Sequence, residues 1–134
     1  MSFSLDHIGI AVKSIQESLA FYVIALGLKV SKVETVTDQQ VNVAFLDTGS
    51  CHIELLEPTS EDSPIAKFIS KRGPGIHHVC LQVNELAKLL PQLESLGFIL
   101  IDKEPRQGAE NKMIAFVHPK STGGVLLELS EPMA

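Results

Sequence analysis

The amino-acid sequence predicts an α+β fold made of two tandem modules, each with the element order βαβββ. Three observations support this prediction: an internal repeat, the spacing of apolar residues in each half, and a helix-capping signal after the first strand. The chain has 134 residues, which is the length of one ordinary domain. We therefore expect a single domain over residues 1–134, with module 1 at about 4–57, a connector at 58–74 and module 2 at about 75–131.

An internal repeat organises the chain. Residues 6–12 return as residues 77–83, at an offset of 71, and residues 49–54 return as residues 123–128, at an offset of 74. Residues 49–54 and 123–128 both end in a glutamate, and a proline follows four residues after each one, at Pro58 and Pro132. A fixed period of this kind indicates a duplicated structural unit, here of about 60 residues.

The spacing of apolar residues assigns the elements of module 1. Residues 4–12 alternate between apolar and small or polar types, which predicts a strand. Ser14 and Glu17 form a capping box, so a helix is expected to start there and to end at Gly27. The apolar face of this helix consists of Ile15, Leu19, Val23 and Leu26. Three further strands are expected over 28–36, 41–48 and 51–57.

Module 2 is expected to repeat this element order, with a helix that starts near the cap Asn84. Pro91 lies well inside that helical pattern, where a proline removes one backbone hydrogen bond and clashes with the preceding turn. We therefore expect the second helix to start late or to kink. The connector is predicted to hold one short helix over 65–71, bounded by proline and glycine.

Alternation along the strands separates two faces of the predicted sheet. One face carries apolar rows that we expect to pack against the helices: Ile8, Ile10 and Val12; Ile53 and Leu55; Val79, Leu81 and Val83; Leu127 and Leu129. The opposite face of these strands combines a titratable residue in each strand with small or polar neighbours. A sheet curved around this second face would enclose a cavity.

Histidine and glutamate occupy repeat-related positions on the cavity face, at His7 and His78 and at Glu54 and Glu128. Imidazole and carboxylate groups are ligands for divalent ions, and a set without thiolate differs from structural zinc sites. We therefore predict one divalent ion bound by these four residues, with two positions left for water or a chelating substrate. Ligand type does not distinguish cobalt, zinc, nickel and manganese. The alternative is two buried His–Glu hydrogen bonds that only stabilise the cavity.

The other histidines and the cysteine on this face are weaker candidates. His52 shares a face with Glu54, and we expect a partly exposed side chain there rather than one that supports the site. His77 is expected to lie against the connector, while His118 precedes a proline at a strand end and is expected to be solvated. Cys80 is interpreted as a small buried apolar residue, because no cation or helix N-terminus is evident near it.

Several segments together resemble one known family. They are residues 6–12, 54–58, 62–66, 75–78 and, most specific of all, 118–129, and they span both modules and the connector. In these segments the chain is similar to the vicinal oxygen chelate (glyoxalase/bleomycin-resistance/dioxygenase) superfamily, and within it to the methylmalonyl-CoA epimerases. The resemblance implies two βαβββ modules that form an open cup of mixed sheet around one divalent ion, held by the four predicted ligands.

The resemblance also implies an isomerase that interconverts the R and S forms of methylmalonyl-CoA by proton transfer at the carbon between carboxylate and thioester. Inversion requires one base on each face of the planar enolate. The family gives the counterpart of Glu128 both ligand and acid–base roles. Some members carry a glutamine at the position of Glu54 and a separate glutamate on the third strand. Here residues 41–45 contain no acid, so we hypothesise that Glu54 and Glu128 are the two catalytic bases.

Two other functions remain open. A glyoxalase I-type lactoylglutathione lyase of the same superfamily uses the same His/Glu/His/Glu set, although the turn at 118–124 differs from the Asp-Pro-Asp-Gly turn that those enzymes tend to carry. A non-catalytic small-molecule-binding protein is the second alternative, and the presence of all four ligands argues against it. Ring-cleaving dioxygenases use two histidines and a single glutamate, so Glu54 is one acid too many for that class.

Composition limits the partners and the compartment. Eleven Lys and Arg against sixteen Asp and Glu give a formal charge of −5, which argues against binding to nucleic acid or to an anionic membrane surface. No apolar run approaches the ~18 residues of a membrane span, and the N-terminus does not resemble a secretory signal. Cys51 and Cys80 match no disulfide pattern. We expect a cytoplasmic protein, a homodimer by its resemblance, that acts on a small acyl-CoA.

Overall fold

The structure is a computed structural model and describes residues 2–133. Its strands are β1 (Ser4–Ala11), β2 (Lys29–Val36), β3 (Val41–Asp47), β4 (His52–Pro58), β5 (Gly75–Gln82), β6 (Arg106–Gln107), β7 (Lys112–Val117) and β8 (Leu127–Pro132). Its α-helices are α1 (Ile15–Leu19), α2 (Pro64–Arg72) and α3 (Leu86–Ser95). No helix among residues 2–133 is long and apolar enough to cross a membrane.

The chain divides into two compact units. The first unit comprises His7–His77, and the second unit comprises the residues up to Asp6 together with those from His78 onward. The boundaries between the units therefore fall inside β1 and β5 rather than at the ends of the connector. The order of elements in the two halves of the chain is the predicted βαβββ. The organisation as a single domain stays a prediction.

In the first unit the strands lie in the order β2-β3-β4-β1. β2 pairs with β3 and β3 with β4 in antiparallel fashion, whereas β1 and β4 are parallel. In this register Glu54 on β4 lies between Gly9 on β1 and Phe45 on β3. Because side chains alternate along a strand, His7 and Glu54 project from the same face of the sheet.

The second unit repeats this arrangement in the order β5-β8-β7-β6. β5 and β8 are parallel, and Glu128 on β8 lies between Cys80 on β5 and Phe116 on β7. The register therefore matches that of the first unit at all three positions. The sixth strand departs from the repeat, because β6 has two residues whereas the equivalent β2 has eight.

Each unit has its own apolar core, and the predicted apolar rows supply it. The core of the first unit contains Val12, Ile15, Ala44, Leu46 and Leu55, with Ile10 and Ile53 packed against it. The core of the second unit contains Val83, Leu86, Leu89, Leu90, Ala115, Val117 and Leu129, with Leu81 and Leu127 packed against it. Burial of each large aliphatic side chain contributes about 1.5–3 kcal/mol, so these clusters hold the strands of each unit against the helix of that unit. The predicted assignment of faces is confirmed for these residues.

The helix of the first unit departs from the prediction. α1 ends after five residues, and Ala20–Ala25 continue as a π-helix, after which the Leu26 N–H donates to the Phe21 carbonyl at 3.0 Å. The wider turn of a π-helix changes which side chains face the sheet. Val23 still packs against the core, whereas Leu26, which regular α-helical spacing places on the apolar face, is 59% exposed. The prediction is therefore wrong for Leu26.

The start of α1 has two acceptors, one local and one distant. Ser14 is the N-cap, as predicted, and its Oγ accepts a hydrogen bond from the Glu17 N–H at 3.2 Å. In addition, Glu57 on β4 accepts from the Ile15 N–H at 2.9 Å. The first N–H groups of a helix have no partner within the helix, so both contacts stabilise its first turn.

The start of α3 depends on a distant glutamate instead of on Asn84. The helix begins at Leu86, one residue later than a cap at Asn84 predicts, and continues through Pro91 to its end. Its first N–H groups donate to Glu131 on β8, from Glu85 at 2.7 Å and from Leu86 at 3.2 Å. The expected start near Asn84 is confirmed to within one residue, but the helix does not start late enough to leave Pro91 outside it.

Candidate active site

In the first unit, His7 and Glu54 form a buried pair on adjacent parallel strands. His7 Nδ1 lies 3.1 Å from Glu54 Oε2. The register of β1 and β4 produces the pair, because it places Gly9 opposite Glu54 and His7 two residues away on the same face. A buried carboxylate is costly unless it is hydrogen-bonded, so the imidazole compensates part of its lost hydration.

A second imidazole contacts the same carboxylate oxygen. His52 Nε2 lies 2.9 Å from Glu54 Oε2, and the His52 ring stacks on His7 with centroids 5.0 Å apart and planes at 28°. The ring also contacts Phe45, with 5.5 Å between centroids. The His52 side chain is 18% exposed, so the expected partial exposure is confirmed. The hydrogen bond from His52 to Glu54 was not expected, because the sequence analysis favoured a histidine that does not support the site. The i, i+2 spacing of His52 and Glu54 on one strand face is the signal for this contact.

In the second unit, His78 and Glu128 form the repeat-related buried pair. His78 Nε2 lies 3.0 Å from Glu128 Oε1. Phe116, the strand neighbour of Glu128, meets the His78 ring edge-on with centroids 5.8 Å apart. The repeat places Leu126 at the position of His52, so the second unit has an aliphatic side chain where the first has an imidazole.

The other residues on the predicted cavity face also differ between the units. In the first unit these residues are Gly9, Ala11 and Leu56, and their equivalents in the second are Cys80, Gln82 and Ser130. Cys80 and Ser130 are buried, and the Cys80 thiol donates to Ser130 Oγ at 3.3 Å. The prediction that Cys80 is buried is confirmed. These three positions are therefore apolar in the first unit and polar in the second.

An ion pair in the second unit lies at the start of β7. Lys112 Nζ donates to Asp6 Oδ1 at 2.8 Å, and both side chains are largely buried. Burial by itself lowers the pKa of Lys112, but the hydrogen bond to Asp6 and the attraction of Asp6, Glu110 and Cys80 outweigh it. The pKa of Lys112 is therefore raised above its ordinary value of 10.5. Lys112 stays charged at neutral pH, so it is a structural partner of Asp6 and not a base.

Two histidines outside these pairs have structural contacts. The His77 ring meets Phe68 of α2 edge-on, with centroids 5.0 Å apart, so its expected place against the connector is confirmed. His118 is half-buried, and its Nδ1 accepts from the Lys120 N–H at 3.0 Å. This contact caps the short turn at Pro119–Ser121, so His118 is more structured than the expected solvated side chain.

The structure thus places each predicted histidine beside the glutamate of its own unit. In the first unit, His7, His52 and Glu54 each offer a ligand atom within 4.8 Å of the others, which is a spacing able to hold a divalent metal ion. Nitrogen and carboxylate oxygen donors suit zinc, cobalt, nickel and manganese alike. Binding of a single ion by His7, Glu54, His78 and Glu128 stays a prediction.

Comparison with known proteins agrees with this fold. The sequence matches the family model described as "Glyoxalase/Bleomycin resistance protein/Dioxygenase superfamily" over residues 6–116. The uncharacterized protein YqjC of Bacillus subtilis is 50% identical over 128 residues, which cover 96% of this chain and 91% of that protein. Mitochondrial methylmalonyl-CoA epimerase of Homo sapiens is 37% identical over 128 residues, which cover 95% of this chain and 73% of that protein.

A solved structure of a methylmalonyl-CoA epimerase in complex with methylmalonyl-CoA and NH4+ is similar with a TM-score of 0.89. It is 34% identical, and the match covers 97% of this chain and 94% of that one. The chain therefore belongs to the glyoxalase/bleomycin resistance protein/dioxygenase superfamily, and within it to the methylmalonyl-CoA epimerase family. The predicted fold class is confirmed.

Proposed function

We propose that this chain catalyses the epimerisation of methylmalonyl-CoA by inverting the carbon between the carboxylate and the thioester. The observation that carries the proposal is the presence of one buried His–Glu pair in each unit at repeat-related positions. The proton on that carbon is only weakly acidic, so its removal requires a positioned base and stabilisation of the resulting negative charge. Relatives that are named methylmalonyl-CoA epimerases support the same substrate.

The residues of both pairs fit a divalent ion. His7 Nδ1 and Glu54 Oε2 lie 3.1 Å apart, which is close to the separation of two ligands on one ion, so both atoms could bind the ion in place of the contact that joins them. The same holds for His78 Nε2 and Glu128 Oε1, which lie 3.0 Å apart. Our proposal is that His7, Glu54, His78 and Glu128 hold one ion. When bound, such an ion supplies a Lewis acid that draws electron density from the substrate carbonyl groups.

We assign the two proton transfers to Glu54 and Glu128. One glutamate starts ionised and takes the proton from the substrate carbon at a carboxylate oxygen. The other starts protonated and gives its proton to the opposite face of the same carbon. The two glutamates exchange protonation states in each turnover, so the total number of protons is unchanged. His7 and His78 keep the carboxylates oriented and do not change protonation state in this scheme.

The proposal is tested by isotope exchange in deuterium oxide. Metal-free protein is loaded separately with cobalt, zinc, nickel and manganese and is incubated with one enantiomer of methylmalonyl-CoA. We expect loss of configuration together with incorporation of deuterium at the second carbon. Substrate that stays unlabelled and uninverted with all four metals contradicts the proposal. A parallel assay with methylglyoxal and glutathione tests the glyoxalase I alternative, which predicts formation of lactoylglutathione.

We further propose that the protein is a cytoplasmic homodimer without nucleic-acid or membrane partners. Large apolar side chains on the surface of each unit support the dimer, such as Ile24, which is 82% exposed, and Leu96, which is 72% exposed. The net charge of −5 weighs against a nucleic-acid partner. Sedimentation equilibrium tests the dimer: a mass of twice the chain supports it, and the mass of a single chain contradicts it.

A further inference from the structure

We propose that His52 is a positioning residue that holds the Glu54 carboxylate in the orientation required for metal binding and for proton transfer. The inference rests on the proposed function and adds a residue outside the four predicted ligands. His52 Nε2 lies 2.9 Å from Glu54 Oε2, which is the oxygen that His7 Nδ1 approaches at 3.1 Å. Two N–H donors on one oxygen restrict rotation of the carboxylate more than a single donor does.

The His52 ring is itself held in place. It stacks on the His7 ring and contacts the buried Phe45, so its position depends on two neighbouring strands of the same sheet. The pairing of β1 with β4 sets His52 directly opposite His7. A donor that is fixed in this way loses little conformational freedom when it binds the carboxylate, which makes its hydrogen bond effective in orienting Glu54.

The repeat supplies the matched comparison for this role. The four predicted ligands occupy equivalent positions in the two units, whereas His52 is replaced in the second unit by Leu126. Leucine has no donor, so the second unit does not support Glu128 through this position. The substitution His52→Leu therefore gives the first unit the residue that the second unit has at this position, and it removes the N–H donor. His52→Gln keeps a side-chain N–H at the same position.

The test is binding of Co²⁺ to the metal-free full-length protein, measured by isothermal titration calorimetry and by the visible spectrum of the complex. Loss of a group that orients a metal ligand costs about 10–100-fold in affinity, and we expect this loss for His52→Leu. His52→Gln should recover most of the affinity. The positions of the Co²⁺ absorption bands should not change, because the set of ligands is the same. His118→Leu, which removes an imidazole elsewhere, should bind as the unmodified protein does.

Three outcomes overturn the positioning role. They are full Co²⁺ affinity in His52→Leu, a His52→Gln variant no better than His52→Leu, and a His52→Leu spectrum that shows loss of a nitrogen ligand. Glu54→Ala separates this inference from the proposed function. If Glu54→Ala binds Co²⁺ as tightly as the unmodified protein, the proposed metal site itself fails. If Glu54→Ala loses binding while His52→Leu does not, only the positioning role fails.

Discussion

The two units follow the same plan but surround their glutamates differently. In each unit, a glutamate on the last strand lies between a residue of the parallel neighbour and a phenylalanine of the antiparallel neighbour. The equivalent sets are Gly9, Glu54 and Phe45 in the first unit, and Cys80, Glu128 and Phe116 in the second. Because the strand pairing is duplicated with the sequence, a histidine and a glutamate meet at the same place twice.

The differences between the units lie around this shared pair. Glu54 contacts the imidazoles of His7 and His52, whereas Leu126 stands at the His52 position of the second unit. Three neighbouring positions on the same face are apolar in the first unit and carry thiol, amide and hydroxyl groups in the second. The comparison teaches that the repeat gives the two glutamates equivalent positions, whereas different residues at the neighbouring positions give each glutamate its own surroundings.

The largest expected effect comes from removing one base at a time. In Glu54→Gln and in Glu128→Gln, kcat for epimerisation should fall about 10²–10⁴-fold, because one of the two proton transfers loses its acid–base group. Each variant should still exchange the proton of one enantiomer with deuterium oxide, and the favoured enantiomer should be opposite in the two variants. The measurement is deuterium incorporation into each pure enantiomer, followed by mass spectrometry.

Glu57→Gln is the control for this experiment, since Glu57 lies on the other face of the same strand and its glutamine retains an acceptor for α1. It should epimerise at the unmodified rate. Equal loss of exchange for both enantiomers in Glu54→Gln, with metal content unchanged, would contradict the assignment of Glu54 as the base for one face.

The next largest effect concerns the ion pair between Lys112 and Asp6, because the first unit has no lysine at the position equivalent to Lys112. Lys112 corresponds to Val41, and replacing Lys112 by Val should lower the free energy of unfolding by about 1–3 kcal/mol, because the largely buried Asp6 carboxylate loses its ion pair with Lys112. The pKa of Lys112 is raised in the folded state, so its stabilisation is complete below 10.5 and is lost as pH rises through the folded-state pKa.

Urea unfolding at neutral pH and at a pH above 10.5 measures both parts of this prediction. The difference between Lys112→Val and the unmodified protein should shrink at the higher pH. The double variant with Asp6→Asn should recover part of the loss, because it removes the buried negative charge that Lys112 no longer balances. A difference that keeps its full size at high pH would rule out the ion pair as its origin.

A smaller effect is expected at the starts of the two helices. Glu131→Ala removes the acceptor of two N–H groups of α3, and should lower the free energy of unfolding by about 1–2 kcal/mol. Glu57→Ala leaves Ser14 as a cap of α1, so amide exchange in the first turn of α1 should change less than in the first turn of α3. Glu131→Gln, which retains an acceptor, is the control. A larger increase of amide exchange in α1 of Glu57→Ala than in α3 of Glu131→Ala would contradict this prediction.

The smallest effect comes from a feature that both units share. Lys32 Nζ lies 5.0 Å from the Phe45 ring centroid, and the Arg106 guanidinium lies 5.6 Å from that of Phe116. Removing such a contact costs about 0.5–1 kcal/mol, so Lys32→Gln and Arg106→Gln should each lower the unfolding free energy by about that amount. Denaturant titration checks this prediction. A loss several times larger in one unit would show that the two contacts are not equivalent.

The sequence predicted the faces of the strands and the repeat-related positions of the two histidines and two glutamates, because both depend on alternation and on the repeat offset. The two His–Glu contacts were only the alternative to a shared metal ion, which stays a prediction. Local spacing did not predict the π-helix that exposes Leu26, since its hydrogen bonds replace the regular α-helical pattern on which the prediction rests. It also did not reveal the two-residue β6, because the repeat suggested a full strand there. A prediction based on the repeat assigns the same elements to both halves, so it does not reveal where their structures differ.

The sequence by itself determined the duplicated βαβββ order and which histidines and glutamates lie opposite the apolar row of their own strand, because side chains alternate along a strand. Only the tertiary structure decided that His52 stacks on His7 and that Glu131 starts α3. Those contacts join residues far apart in the chain, and the register of the paired strands sets their distances. Strand pairing therefore converts a repeated pattern into two sites with different surroundings.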